Sequence, residues 1–164
     1  MDMAHEIISH QSRTPCVWRW MRKLNRRLAT QVIGRGRGPR GMVLLLTTIG
    51  RKSGQPRVTP LQYEEEQGVI YVASARGPHA DWFRNIQANP RVKVQIADRV
   101  FEGLAEPIVD PARIADFLLL RLKRHPIMMR AMLALEGQWR CRRADLERFA
   151  VHKALVAIRL PEKA

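Results

Sequence analysis

The residues best equipped for chemistry are Arg51, Lys52, Ser53 and Arg57. The first three sit in Gly50-Arg51-Lys52-Ser53-Gly54, and Arg57 follows just past Pro56. Flanking glycines leave backbone N–H groups able to turn toward an anion, and the two cations and the hydroxyl add charge-assisted hydrogen bonds. A set of this kind can cradle a phosphate or a carboxylate. It is not a Walker loop, because the GxxxxGK[ST] spacing is absent. From residue types alone a solvated basic hairpin turn fits equally, since short motifs match by chance.

Other candidate groups are weaker. His79 and Asp81 stand just before Trp82, as either a proton relay or a helix cap with an exposed histidine. No metal centre is expected, because His5, His10, His79, His125 and His152 share no ligand spacing. Cys16 and Cys141 have no CxxC or CxxH neighbour and read as two reduced thiols in a cytoplasmic protein.

The loop must be held by its flanks. Met42 to Thr48 is an apolar run closed by a glycine, the pattern of a strand with little solvent on either face. Arg57 to Glu65 reads as a second strand, which Pro60 assigns to an edge or a bulge. Gln67-Gly68 forms a hairpin turn into a third strand, Val69 to Ala75. Gly77-Pro78 breaks the pattern. A short helix over 78–88 with Trp82, Phe83 and Ile86 on its apolar side ends at Asn89-Pro90. Arg91 to Ile96 alternates as a half-buried strand, and Ala97-Asp98 turns it into another over 100–109. Asp110-Pro111 starts a helix that breaks near Pro126 and resumes through Met128, Met129 and Met132, methionines that line an apolar pocket or pack a core. A helical turn or two over 144–150 and a closing strand over 155–160 complete the chain. Hairpins with few parallel crossovers predict an α+β antiparallel barrel with helices packed outside.

The chain of 164 residues is long enough for one substantial core and has no apolar run long enough to span a bilayer. The opening residues lack a cationic start followed by an apolar core, so no secretory leader is expected. Net charge is +14, from 29 Lys and Arg against 15 Asp and Glu, which points to an anionic partner. Residues 1–40 carry nine of the basic groups against Asp2 and Glu6. The reading therefore divides the chain into a basic amphipathic segment and linker over 1–38 and a binding domain over 39–164. In the first, Val17, Trp20, Met21, Leu24 and Leu28 fall on one helical side and arginines on the other. Such a helix over residues 14–30 either lies on anionic lipid at the inner membrane face or packs on the domain. The Gly-Arg alternation over 34–41 reads as a linker with solvated cations.

Three segments in order, LLLTTIGRKSGQPRVTPL (44–61), VASARG (72–77) and DWFRNIQANPRVKVQI (81–96), resemble the deazaflavin-dependent nitroreductase family. The resemblance implies a split antiparallel β-barrel of the flavin-reductase or FMN-binding kind, with flanking helices, that binds coenzyme F420 and needs no metal. It assigns Arg51, Lys52, Ser53 and Arg57 to the coenzyme's phosphate and acidic tail. Val58, Thr59 and Pro60 would run beside the deazaflavin ring. Ala73, Ser74 and Ala75 would contact the ring or its ribityl chain, and Trp82 and Asn85 would complete the groove. Arg76 stands one position past the lysine of many relatives. The implied reaction is hydride transfer to a quinone or nitro compound, with Ser74 and then Gln62 as candidate hydrogen-bond donors to the acceptor. Relatives that reduce nitro compounds carry an aromatic where this chain has Gln62, and tyrosines where it has an aliphatic helix, so a flat apolar quinone fits better. The alternatives are an FMN- or haem-binding split barrel and, behind it, a basic nucleic-acid module. No aromatic-interleaved basic strand supports the last, and no nucleic acid is expected.

Overall fold

The computed structural model describes residues 43–74 and 76–159. The expectations for residues 1–42, including the 14–30 helix and the boundary at 38, lie outside the described residues, as does Ala75. Six strands close an antiparallel barrel: β1 (Val43–Ile49), β2 (Pro56–Glu66), β3 (Val69–Ser74), β4 (Arg91–Ile96), β5 (Arg99–Ile108) and β6 (Ala154–Arg159). Their order around the barrel is β1-β2-β3-β6-β5-β4, and β4 returns to β1. The helices are α1 (Asp81–Ala88), α2 (Pro111–Arg124), α3 (Pro126–Leu135) and α4 (Arg143–Ala150). The predicted α+β antiparallel barrel with outer helices is the observed architecture.

Alternation on the strands builds the inner core. Leu44 and Leu46 of β1, Ile70 and Val72 of β3, and Val156 and Ile158 of β6 point inward, and α1 adds Trp82, Phe83 and Ile86 to the same cluster. A second core lies outside the barrel wall. There Leu155 and Ala157 of β6 meet Ile114, Phe117, Leu118, Met129, Leu133 and Leu146 from α2, α3 and α4. Strand β6 is buried on both faces, which is why its sequence is continuously apolar. Met129 is a core residue rather than part of a pocket wall.

Turn chemistry follows the sequence. Gln67 and Gly68 both hold positive φ, 51° and 76°, between paired Glu66 and Val69, as a two-residue primed turn requires. Asp110 caps α2 by accepting the Arg113 N–H at 2.9 Å, with Pro111 at the first helical position. Pro60 pairs with Leu45 on one side, and β3 meets β2 only from Tyr63 onward. Pro60 therefore sits on a locally open edge, where its missing N–H costs no ladder bond.

Candidate functional site

The hairpin between β1 and β2 is tied from within. Gly50 N–H bonds to Gln55 O at 2.9 Å, and the Gly50 carbonyl accepts from Ser53 N–H and Gly54 N–H at 3.2 and 2.8 Å. Ser53 Oγ accepts the Gln55 N–H at 3.4 Å. A Cβ on Gly50 would stand 2.7 Å from Ser53 Oγ and 3.2 Å from Gln55 O, so a larger residue there would displace the Ser53 hydroxyl. These N–H groups close the loop instead of facing outward. The anion-binding capacity expected from the glycines therefore rests on the side chains.

Asn85 anchors the loop to the barrel. It is buried at 4% exposure. Its Oδ1 accepts from the Arg51 N–H and from Arg51 Nη1, both at 3.1 Å, and its Nδ2 donates to Thr48 Oγ1 at 3.2 Å. Asp81 holds the other guanidinium nitrogen at 3.1 Å. Arg51 is thus fastened to α1. Lys52 and Arg57 are exposed, and among the described residues neither has a carboxylate within ion-pair distance.

A cavity of about 740 Å³ opens beside this loop. Its cationic side holds Arg51, Lys52 and Arg57 with Ser53. Its apolar side is made by Leu45, Val58, Pro60 and Trp82, and Thr59, Asn85 and Asp81 complete the lining. Leu45 faces this cavity because it alternates with Leu44 and Leu46, which point into the barrel. Trp82 is set by an edge-on contact with Phe83, ring centroids 6.1 Å apart.

Other residues marked in the sequence stand elsewhere. Ser74 is 3% exposed and donates its hydroxyl to Gly77 O at 2.7 Å. It lies outside the cavity lining and locks the turn after β3, where Gly77 (φ +56°) passes so close to His152 that a Cβ would meet its carbonyl at 2.2 Å. Ala73 and Arg76 are exposed and also outside the lining. Gln62 lies two residues beyond Pro60, on the same face of β2, and its Oε1 accepts from Arg121 Nη2 at 3.4 Å. His79 is exposed just before the helix, as one expected arrangement had it, but no side chain caps that helix. His79 Nδ1 contacts Arg84 at 3.2 Å, and Asp81 is the first residue of α1, whose cap is Ala80 with no side-chain bond. Asp81 there favours the helix dipole while it holds Arg51.

A buried ionic cluster at the far end of β2 was not anticipated. Glu64 Oε1 lies 3.2 Å from Arg121 Nε and 3.1 Å from His125 Nε2, and Glu64 Oε2 lies 3.5 Å from Arg124. Beside it, burial first, and then the charges of Glu65 and Glu64, push the Tyr63 phenol above its ordinary value. The sequence does hold a signal. Arg121 continues the apolar stripe Ile114, Phe117, Leu118 at helical spacing, a position that buries a cation and so demands a carboxylate.

Among the described residues no three His, Cys, Asp or Glu side chains are grouped to hold a metal, and no helix is long and apolar enough to cross a membrane. Solved structures share the fold. The haem storage protein HutZ of Vibrio cholerae aligns with TM-score 0.53 at 15% identity, over 83% of this chain and 92% of that one. A conserved hypothetical protein of Mycobacterium tuberculosis aligns with TM-score 0.50 at 18% identity, over 82% and 89%. An F420H(2)-dependent quinone reductase of Mycobacterium tuberculosis H37Rv is 34% identical over 68 residues, 40% of this chain and 46% of that one. The match thus spans less than half of that relative's length. The profile of F420H(2)-dependent quinone reductases matches residues 18–127, well over half of the sequence. The chain belongs to the F420H(2)-dependent quinone reductase family.

Proposed function

We propose that the protein is a reductase that binds reduced coenzyme F420 in the β1–β2 cavity and reduces an electron-poor acceptor, a quinone before a nitro compound. The observation that carries this reading is one groove lined by two unlike sets of residues. Among the described residues Lys52 and Arg57 have no carboxylate within ion-pair distance, and Leu45, Val58, Pro60 and Trp82 line the same cavity. A ligand that fits both must be anionic at one end and flat and apolar at the other. A deazaflavin with a phosphodiester and a polyglutamate tail has that form, and the cavity is in the usual size range for cofactor sites. When bound, the coenzyme supplies a hydride to the acceptor.

The chain's own residues position and polarise. Lys52 and Arg57 hold the anionic tail, while Asn85 and Asp81 keep Arg51 aimed along the groove. Val58, Pro60 and Trp82 would give the coenzyme's ring an apolar surface. Ser74 donates its hydroxyl to Gly77 O and lies outside the cavity lining, which disfavours it as donor to the acceptor. Gln62 also lies outside the cavity lining, on the same face of β2 as Pro60, which lines it. Arginine can only donate, so the Gln62 oxygen faces Arg121 and its Nε2 amide hydrogens turn away from it. That amide is the proposed donor to the acceptor oxygen, with water as the final proton source. The family description favours a quinone.

Oxidation of reduced F420, followed by absorbance with a series of quinones and nitroaromatics, tests the reading. Turnover with quinones supports it. Titration with FMN and with haem runs alongside, and tight binding of either without affinity for F420 rejects it.

A further inference from the structure

Three of the most exposed large apolar side chains lie on one short helix and its exit turn. Ile127 is 86% exposed, Leu135 88% and Trp139 79%. Ile127, Ala131 and Leu135 recur at four-residue steps on α3, away from Met129 and Leu133, which are buried in the outer core. Trp139 follows the turn at Gly137, which is closed by Gly137 N–H to Ala134 O and Gln138 N–H to Leu133 O. Single exposed apolar residues are ordinary, but large ones grouped on one short helix and its exit turn mark a contact surface.

The charges around this patch have one sign. Arg130 lies on α3, and Arg140 and Arg142 follow Trp139; all three are exposed. Among the described residues none of them has a carboxylate within ion-pair distance. The acid on this segment, Glu136, is paired with Lys153. A second copy of a chain with net charge +14 would bring its own cations to the contact. Residues 1–40, with nine basic groups against two acidic ones, would do the same. Nucleic acid would satisfy the arginines and leave Ile127 and Leu135 without an apolar counterpart. A bilayer surface matches all three features: anionic headgroups for arginine, the interface for the indole ring, and the upper acyl region for isoleucine and leucine.

We infer that Ile127, Leu135 and Trp139, with the exposed Arg130, Arg140 and Arg142 of the same segment, seat the protein on anionic lipid. The seat is distinct from residues 14–30 and independent of the coenzyme assignment.

The test uses the full chain and vesicles of phosphatidylcholine with or without phosphatidylglycerol, read by co-sedimentation. The protein binds the anionic vesicles and is released by salt. The Ile127→Ser/Leu135→Ser/Trp139→Ser variant binds about tenfold more weakly or worse. Its circular dichroism and melting match the wild type, because the three side chains are exposed. Arg130→Gln/Arg140→Gln/Arg142→Gln, which touches no apolar side chain, also weakens binding and flattens its salt dependence. Three outcomes overturn the seat. They are absence of vesicle binding in the wild type, wild-type binding in both variants, and binding of an RNA oligonucleotide that the serine substitutions weaken as strongly as they weaken vesicle binding.

Discussion

The two ends of β2 handle charge in opposite ways. At its start, Lys52 and Arg57 line a cavity whose one carboxylate, Asp81, is paired with Arg51, and among the described residues neither has a carboxylate within ion-pair distance. At its far end, Glu64 lies within 3.5 Å of Arg121, Arg124 and His125, and Arg124 also pairs with Glu66. Both ends are rich in basic side chains, yet only the first leaves cationic charge without a counter-ion. A ligand site is therefore marked by unneutralised charge in a concave place, not by the number of arginines. Arg51 sits between the two cases. It lines the cavity, but Asn85 and Asp81 already hold it, so it shapes the loop as much as it offers charge.

The largest expected effect separates the ends by stability. Arg121→Met strips a buried partner from Glu64 and should cost about 3–5 kcal/mol in a denaturant titration, as for broken buried ion pairs. The folded fraction should keep its affinity for F420. Equal losses of stability and affinity would erase the contrast. Next, Lys52→Ala and Arg57→Ala should each weaken F420 binding by about 1–3 kcal/mol, the range for hydrogen bonds to charged groups. Coenzyme fluorescence titration reads this, with melting unchanged. Unaltered affinity in both variants would remove the anion end of the groove.

Asn85→Ala tests the intermediate case. It leaves Thr48 Oγ1, which is fully buried, and the Arg51 N–H without their partner, at about 1–2 kcal/mol of stability. Affinity for F420 should fall as well, because the loop loses its anchor, and a variant that loses neither refutes the tie. The smallest effect is on the barrel exterior, where Glu106 meets Arg113 at 2.7 Å and Arg159 at 3.2 Å. The hydrogen bond from Arg113 is the main cause that lowers the Glu106 carboxyl below its ordinary 4.5, against a smaller desolvation effect. A lowered folded value means stability that is present above the ordinary value and lost as pH falls through the lowered one. Exposure limits it to about 0.2–1 kcal/mol. Glu106→Gln should show that deficit at neutral pH and converge with the wild type in acid; a constant gap across pH would assign the effect to packing.

Much of the fold was legible because each element carries its own local signal. Alternation in Arg91–Ile96, the Gln67-Gly68 turn and the Asp110-Pro111 cap all act within a few residues, and the structure follows them. The loop and its basic residues were legible for the same reason. The uses of Ser74 and of the glycine-bounded N–H groups were not. A serine on a strand looks the same whether its hydroxyl faces a cavity or a neighbouring carbonyl, and only the approach of Gly77 to His152 explains why it turns inward.

By itself, the sequence determined an antiparallel α+β barrel, a basic corner between its first two strands, and the family of the chain. The tertiary structure alone decided which cations remain without a counter-ion. Arg51 finds Asn85 34 residues away and Arg121 is within reach of Glu64 57 residues away. Pairing at such separations depends on how strands and helices pack, which local periodicity does not encode.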